Sequence, residues 1–136
     1  MSLETPDLQI LGFDNTLLPV GDLPEAVAFY ERAGFPVKFR LDEAGIALLG
    51  VGKETPGLLL RAEEGFGHRP PSWPSARLWL EVPDARAAAD RLCAAGIEPL
   101  DAPFSTSTGY VVEIADPWGN VVGFTDYLKR PELARS

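Results

Sequence analysis

Two stretches of the chain show the same order of apolar and polar positions. Each begins with an alternating apolar strand that ends in the pattern Val-x-Asp, at residues 20–22 and 82–84. An Ala-rich amphipathic segment of about three turns follows, and Gly34 or Gly96 ends it. Corresponding residues of the two stretches are 62 positions apart. The spacing predicts an internal repeat with a strand and then a helix in each copy.

The first predicted helix has a typical start. Asp22 can cap free backbone N–H groups, Pro24 fits the first turn, and Glu25 stands three residues after the cap. The apolar side chains that follow recur at helical spacing, and they predict a buried stripe of Ala26, Val27, Phe29, Tyr30 and Ala33.

After each glycine the pattern returns to period two. Strands are predicted over residues 37–41, 45–51 and 57–62 and over residues 98–100, 109–115 and 120–125, with turns at 42–44, 53–56 and 116–119. Each copy is therefore a β-α-β-β-β module, and the fold class is α+β. We predict one domain over residues 1–136, with modules at 9–62 and 77–127, a linker at 63–76 and a tail at 128–136.

Composition and charge exclude several classes of partner. The 136 residues include 12 Lys and Arg against 20 Asp and Glu, which gives a net charge of −8 at pH 7. Such a surface repels nucleic acid. No apolar run reaches the roughly 18 residues of a membrane span, and residues 1–7 show no basic or apolar leader. We expect a cytoplasmic protein with no nucleic-acid or membrane partner.

The chain has one cysteine, Cys93, and one histidine, His68. Cys93 lies among Ala and Leu in the second helical pattern, and we expect it to be a buried, inert thiol. The two counts exclude an intramolecular disulfide and most transition-metal sites. They also leave no convincing Ser-His-Asp or Cys-His catalytic set.

Aromatic residues mark the linker and one turn. Phe66, His68 and Trp73 lie in the linker, where Pro and Gly disfavour a helix. The pattern leaves three roles open for them: cover for a sheet edge, a lid over a cleft, or an arm that lets the modules exchange between chains. Trp118, in the turn at 116–119, is expected at the surface or in a dimer contact.

Four features together resemble the vicinal oxygen chelate superfamily. They are the repeated module, the Val-x-Asp before each helix, the pairs Phe29-Tyr30 and Gly34-Phe35, and Asp-Pro-Trp-Gly-Asn at residues 116–120. The superfamily includes glyoxalase I, extradiol dioxygenases, fosfomycin resistance enzymes and bleomycin resistance proteins. The resemblance covers about residues 9–127. It implies the glyoxalase/bleomycin resistance/dihydroxybiphenyl dioxygenase fold, in which curved sheets enclose a cleft, and frequently a homodimer.

Metal-using members of the superfamily bind a divalent ion through His and Glu at four repeat-related positions. The corresponding positions in this sequence are Asn15, Leu60, Arg77 and Gly123. Arg77 would add positive charge to a cation site, and Leu60 and Gly123 offer no side-chain donor. We therefore predict no metal and no cofactor here. An oxygen-only site built from Glu81 and Glu113 is an alternative, ranked below an ion pair with Arg77.

Strand alternation sorts the side chains of the cleft that the resemblance implies. Arg77, Trp79 and Glu81 are expected to face a ligand, because the residues between them are apolar and face the helices. This rule and the aligned positions predict a ligand-binding set of Asn15, Leu17, Leu60, Arg77, Trp79, Glu81, Glu113, Val121, Gly123 and Thr125.

Two questions stay open within this set. Arg77 forms either a structural ion pair with a carboxylate or a contact to the ligand. Gly123 leaves room for a ligand that stacks on Trp79, or else Trp79 itself fills the space that a metal ion occupies in relatives.

The resemblance and the missing metal ligands lead to two main functions. The first is a metal-independent protein, similar to bleomycin resistance proteins, that sequesters a small aromatic or amphipathic compound and forms a homodimer. The alternative is a glyoxalase- or dioxygenase-like lyase, isomerase or oxygenase that uses Glu113 or Glu81 as a base, with or without a divalent metal. A weaker third possibility is a degenerate module that assembles with another protein, and it predicts a filled core in place of the cleft.

Overall fold

The structure is a computed structural model that describes residues 6–136, with residues 54–56 described by their backbone alone. Residues 1–5, on which the expected lack of a leader partly depends, lie outside the described residues. The elements are β1 (Thr16–Val20), α1 (Leu23–Arg32), β2 (Val37–Leu41), β3 (Ile46–Val51), β4 (Glu54–Ala62), β5 (Leu78–Glu81), α2 (Ala85–Ala94), β6 (Phe104–Ser105), β7 (Tyr110–Ala115) and β8 (Val121–Thr125). Short 3₁₀ turns cover Asp42–Ala44 and Pro131–Leu133.

The strands form two four-stranded sheets with the same topology. Their orders are β1-β4-β3-β2 and β5-β8-β7-β6. In each sheet the first pair is parallel and the other pairs are antiparallel. Each sheet comes from one β-α-β-β-β segment, so the predicted α+β class and its two modules are confirmed.

The Val-x-Asp pattern sets where each helix begins. The Asp22 carboxylate accepts a hydrogen bond from the backbone N–H of Glu25 at 2.9 Å. In the second module Asp84 accepts from the N–H groups of Arg86 and Ala87 at 3.0 and 3.1 Å. Both aspartates therefore satisfy backbone donors that a helix start leaves without a partner.

One hydrophobic core joins the modules on the helix side of the sheets. The rings of Tyr30 and Phe35 from the first module meet edge to face, and Phe35 contacts Phe124 of β8 with ring centroids 6.1 Å apart. The Tyr30 hydroxyl donates to the Asp116 carboxylate at 2.8 Å. The helix-facing halves of the two modules are thus packed against each other within a single chain.

Two predicted boundaries are wrong. No strand forms at residues 98–100, because Leu100 makes only a single backbone bond to β7, from its N–H to the Glu113 carbonyl. The short strand lies at Phe104–Ser105 instead. The predicted turn at 53–56 is shorter than expected, because Gly52 adopts a φ of 53° and the strand resumes at residue 54, paired with Val51.

Two side chains differ from expectation in their exposure. Cys93 is exposed, because α2 buries the stripe of Ala85, Ala89 and Leu92 and turns the next residue outward. Trp118 is only 3% exposed. Gly21 permits this close packing, since a Cβ there would lie 2.5 Å from the Trp118 Nε1.

The first half of the linker packs on α1 and on the turn at 116–119. His68 contacts the Trp118 ring edge to face at 5.3 Å, and its Nε2 lies 2.8 Å from a carboxylate oxygen of Glu25 in α1. The Arg69 N–H donates to the Pro117 carbonyl at 2.9 Å. This half of the linker covers the turn at 116–119.

Within residues 6–136, neither helix has the length and hydropathy needed to cross a bilayer.

Candidate functional site

Three residues form a row across the outer face of the second sheet. Trp79 of β5 is in register with Gly123 of β8, and Gly123 is in register with Glu113 of β7. Their neighbours along the strands, such as Val112 and Val122, belong to the helix-side core. Alternation therefore places the row on the face that points away from the helices, as predicted.

Glu113 is held at the centre of this face. Its side chain is largely buried, with a relative exposure of 8% for the residue. One carboxylate oxygen accepts a hydrogen bond from the Trp79 Nε1–H at 2.9 Å. The Arg77 Nη1 lies 3.4 Å from both carboxylate oxygens, which makes a long and loosely shared ion pair. Both oxygens of Glu113 are thus occupied by groups of the protein itself.

Arg77 is bound on one side only. Its guanidinium stacks on the Trp73 ring, 3.6 Å from the ring centroid, and the side chain is 37% exposed. Arginine has five N–H donors, and within the described residues only those on Nη1 reach a protein acceptor. The donors on Nε and Nη2 therefore remain available to a ligand.

Three partly exposed aromatic rings are linked to this cation: Trp73 stacks on it, Trp79 shares Glu113 with it, and Phe104 contacts Trp79. The exposed fractions are 48% for Trp73, 44% for Trp79 and 39% for Phe104. Trp79 and Phe104 contact each other with ring centroids 6.1 Å apart. The face is a partly exposed shelf of aromatic surface with one guanidinium and one carboxylate.

Gly123 is needed by Trp79 rather than by a ligand. A Cβ at Gly123 would lie 2.5 Å from the Trp79 Cδ1 and 3.3 Å from the Glu113 Cγ. The indole therefore already occupies the space above the glycine. Of the two roles left open by the sequence, the filling of this space by Trp79 agrees with the geometry.

The structure corrects one residue of the predicted set. Leu60 was expected to line the cleft, but it is 0% exposed and lies in the helix-side core. The register of β1 with β4 pairs Leu17 with Leu59, as Trp79 pairs with Gly123 in the second sheet. Leu59 is therefore the repeat-related residue, and the alignment behind Leu60 was one position too far, which reverses the face of the strand.

The other predicted residues of the first module are Leu17 and Asn15. Leu17 is 52% exposed on the outer face of the first sheet. The Asn15 side-chain oxygen accepts the Gly57 N–H at 3.3 Å. Among the described residues, no hydrogen bond joins Asn15 to Arg77, Trp79 or Glu113. The hydrogen bond of Asn15 thus stays within the first module.

Glu81 shares the outer face but is bound by the C-terminal tail. Its carboxylate accepts from the Arg135 backbone N–H at 2.9 Å and from the Arg135 Nη1 at 2.7 Å. These hydrogen bonds hold the pKa of Glu81 below its usual range. Val121 is buried and Thr125 is half-buried on the same strand face. Both carboxylate oxygens of Glu81 are therefore already hydrogen-bonded to Arg135.

Two residues of the shelf were missed by sequence reasoning. Phe104 lies in the strand that was misplaced to 98–100, so its position beside β7 could not be read from the pattern. Trp73 lies in the linker, whose path depends on tertiary contacts. The run of Trp73, Arg77 and Trp79 within seven residues was the signal that could have found the shelf.

The residues at the metal positions of the family do not suit a divalent ion. Arg77 is a cation, Gly123 has no side chain and no room for one, and the Asn15 oxygen is used by Gly57. The structurally equivalent Leu59 has no donor atom. Residues 6–136 contain no group of three or more His, Cys, Asp or Glu side chains arranged to hold a metal.

Three solved structures with a similar fold agree with this architecture. The fosfomycin resistance protein FosX from Listeria monocytogenes has a TM-score of 0.67 at 13% identity, over 86% of this chain and 93% of its own. A glyoxalase/bleomycin resistance protein/dioxygenase from Nocardioides has a TM-score of 0.64 at 20% identity, over 99% of this chain and 92% of its own. Lactoylglutathione lyase from Agrobacterium tumefaciens has a TM-score of 0.60 at 22% identity, over 86% of this chain and 94% of its own.

These likenesses establish a shared fold. No curated protein matches the sequence. A family model, however, matches residues 12–124, which include nearly all of both modules and the whole shelf. The chain therefore belongs to the Glyoxalase/Bleomycin resistance protein/Dioxygenase superfamily.

Proposed function

We propose that the chain binds a small aromatic or amphipathic compound on the shelf formed by Trp73, Arg77, Trp79, Phe104 and Glu113, without a metal ion. The observation that carries the proposal is the partly exposed Arg77 guanidinium, which stacks on Trp73 and, within the described residues, has donors without a protein acceptor on the sheet face that also carries the exposed ring of Trp79. Apolar surface with a few fixed polar groups is the usual composition of small-molecule sites.

The charges favour a ligand with an acidic group. Glu113 is engaged by Trp79 and Arg77, whereas Arg77 retains the donors on Nε and Nη2. Those donors match the two oxygens of a carboxylate in a bidentate arrangement. A flat ring on the same ligand would lie against Trp79 or Phe104. We therefore expect an aromatic carboxylate to bind better than its neutral analogue.

Metal independence is part of the proposal. It is supported by the chemistry of Asn15, Leu59, Arg77 and Gly123, none of which offers a charged or imidazole ligand. A protein that binds its ligand by stacking and one ion pair requires neither a charged nor an imidazole metal ligand.

A second copy of the chain is proposed as the other wall of the site. The outer row of the first sheet runs in register through Leu17, Leu59, Leu48 and Phe39. Leu17 and Phe39 are 52% and 44% exposed, and the apolar residues of the segment before β1, such as Phe13 at 94%, are more so. An apolar surface of this extent, close to the edge strand β1, is typical of a protein interface.

The enzyme alternative receives less support from the geometry. A general base needs a carboxylate oxygen within reach of a substrate proton. Glu113 Oε2 accepts from the Trp79 Nε1–H, Glu113 Oε1 faces the Arg77 Nη1 at 3.4 Å, and both oxygens of Glu81 are bound to Arg135. The shelf is therefore better arranged to hold a compound than to remove a proton from it.

Fluorescence titration tests ligand binding. We expect 1-naphthoate to change the tryptophan emission saturably, with 1-naphthalenemethanol weaker by about tenfold, the effect of one charge-assisted contact. Arg77→Gln should abolish this preference, whereas Arg61→Gln, which removes an exposed cation beside Glu63, should leave it intact. Absence of a saturable response to either probe, or stoichiometric metal in the purified protein, would contradict the proposal.

Light scattering after gel filtration tests the dimer. The substitution Leu17→Asp, or Phe39→Asp, should convert a dimer to monomers, because either buries a charge in the apolar row. Leu128→Asp, at a 46% exposed position in the C-terminal segment, serves as the matched control. A wild-type protein that stays monomeric at high concentration would contradict the proposal that a second copy forms the other wall of the site.

A further inference from the structure

We propose a second binding site, for a small amphipathic carboxylate, in the cavity between the C-terminal half of α1 and α2. The cavity has a volume of about 360 Å³, at the lower end of the range for small-molecule sites. It lies on the helix side of the sheets, whereas the shelf lies on their outer side. The cavity and the shelf are therefore separate in space.

The walls of this cavity are apolar and come from both modules. Ala33 at the end of α1 forms one side, Ala88 and Leu92 of α2 form the other, and Phe124 of β8 contributes to the wall. Leu92 and Phe124 belong to the packed core, so this part of the wall is rigid. A short hydrocarbon chain or a ring would replace water there, which is the main driving force for binding.

Two cations line the same cavity from different helices. Arg32 belongs to the last turn of α1 and Arg91 to the last turn of α2. Within the described residues, neither guanidinium has a hydrogen bond or an ion pair to the protein. A basic residue is favoured at any helix C-terminus, but that preference does not explain why both arginines line one apolar cavity. A carboxylate in the cavity would supply an acceptor for these donors.

The acidic residue of the lining does not cancel this charge. Asp84 uses one carboxylate oxygen to cap α2, accepting from the N–H groups of Arg86 and Ala87. The lining thus carries two positive side chains and one carboxylate that is already hydrogen-bonded, in a chain with a net charge of −8. The local balance favours an anion with an apolar body.

Calorimetric titration with octanoate tests the site. We expect saturable one-to-one binding that is about tenfold weaker for 1-octanol and about tenfold weaker in Arg32→Gln/Arg91→Gln, as expected for a charge-assisted contact. The control Arg61→Gln/Arg130→Gln removes the same net charge from exposed ion pairs elsewhere. In the nitrogen–proton NMR spectrum, octanoate should shift the amides of Gly34, Ala88 and Leu92 and leave that of Trp79 in place.

Three results would overturn the proposal. They are the absence of octanoate binding, an equal loss of affinity in both double variants, and shifts confined to the Trp79 face. Ala88→Leu, which fills the cavity without changing charge, should also weaken octanoate binding, and thermal unfolding would verify that this variant is folded. If Arg32→Gln/Arg91→Gln converts a dimer to monomers, a second copy occupies the cavity and the proposal is wrong.

Discussion

The substitution Gly123→Ala adds a single methyl group at the point where the shelf is most closely packed. The new Cβ would lie 2.5 Å from the Trp79 Cδ1 and 2.9 Å from its Nε1. Neither distance is tolerated between non-bonded atoms, so the indole must move. Because the Trp79 Nε1 donates to Glu113 at 2.9 Å, we expect the movement to break that hydrogen bond.

The size of the effect follows from two destabilising and two offsetting contributions. Overpacking costs roughly 1–3 kcal/mol, and the loss of a hydrogen bond to a buried charged group costs roughly 1.5–3 kcal/mol. Alanine returns about 0.5–1 kcal/mol, because glycine is unfavourable in a strand and the φ of Gly123 lies outside the left-handed region. Partial swinging of the exposed indole relieves part of the strain. We expect a net loss of about 2 kcal/mol and weaker binding of 1-naphthoate.

A double-mutant cycle isolates the cause. In Trp79→Ala the ring is absent, so the added methyl group meets no indole and Gly123→Ala should become neutral or stabilising. Urea unfolding followed by far-UV circular dichroism gives the four free energies. Gly67→Ala is the matched control, since a Cβ there meets nothing within 4 Å. Additive free energies, or a Gly123→Ala protein as stable as the wild type, would refute the close packing of Trp79 over Gly123.

Two further predictions concern buried ionisable groups. Burial raises the pKa of Asp126, but hydrogen bonds from three backbone N–H groups outweigh it and hold that pKa below its usual value. Stability should therefore fall as the pH drops below about 4, and Asp126→Asn, which turns an amide toward the Ala85 N–H, should cost about 2 kcal/mol at pH 7 and lose this slope. Burial, and then the Asp116 charge, raise the pKa of Tyr30 well above its usual value, so stability should fall as the pH rises above about 10. Tyr30→Phe should cost about 1 kcal/mol at neutral pH and remove the alkaline loss in chemical denaturation.

The alternation of side chains along each strand predicted correctly which residues lie on the outer face of the second sheet. This rule needs only one residue of known direction in each strand. Trp79 and Glu113 were placed on one face from their own strands, and the register then brought both beside Gly123. The prediction that Leu60 lines the cleft was wrong, because it depended on an alignment between the two modules. A shift of one residue in that alignment reverses the face, and only the observed register identifies Leu59.

The remaining differences arise from contacts between distant segments. Trp118 was expected at the surface or in a dimer contact because it lies in a tight turn, but Gly21 and His68 of the same chain pack against it and exclude water. Trp73 reaches Arg77 through a linker whose path the local sequence does not specify. Arg135 binds Glu81 across 54 positions of sequence. None of these pairings leaves a periodic signal, so the sequence predicts the sheets better than the residues around the site.

The two outer faces are chemically unequal, and this inequality defines the proposed ligand. On the first sheet the register row of Leu17, Leu59, Leu48 and Phe39 is entirely apolar. On the second sheet the equivalent row carries an indole and a carboxylate, with Arg77 beside them. If a second copy brings these faces together, a compound between them meets hydrocarbon on one side and a guanidinium among aromatic rings on the other. Only an amphipathic molecule satisfies both walls, since a fully polar one would leave its hydrogen-bonding groups without partners against the leucines.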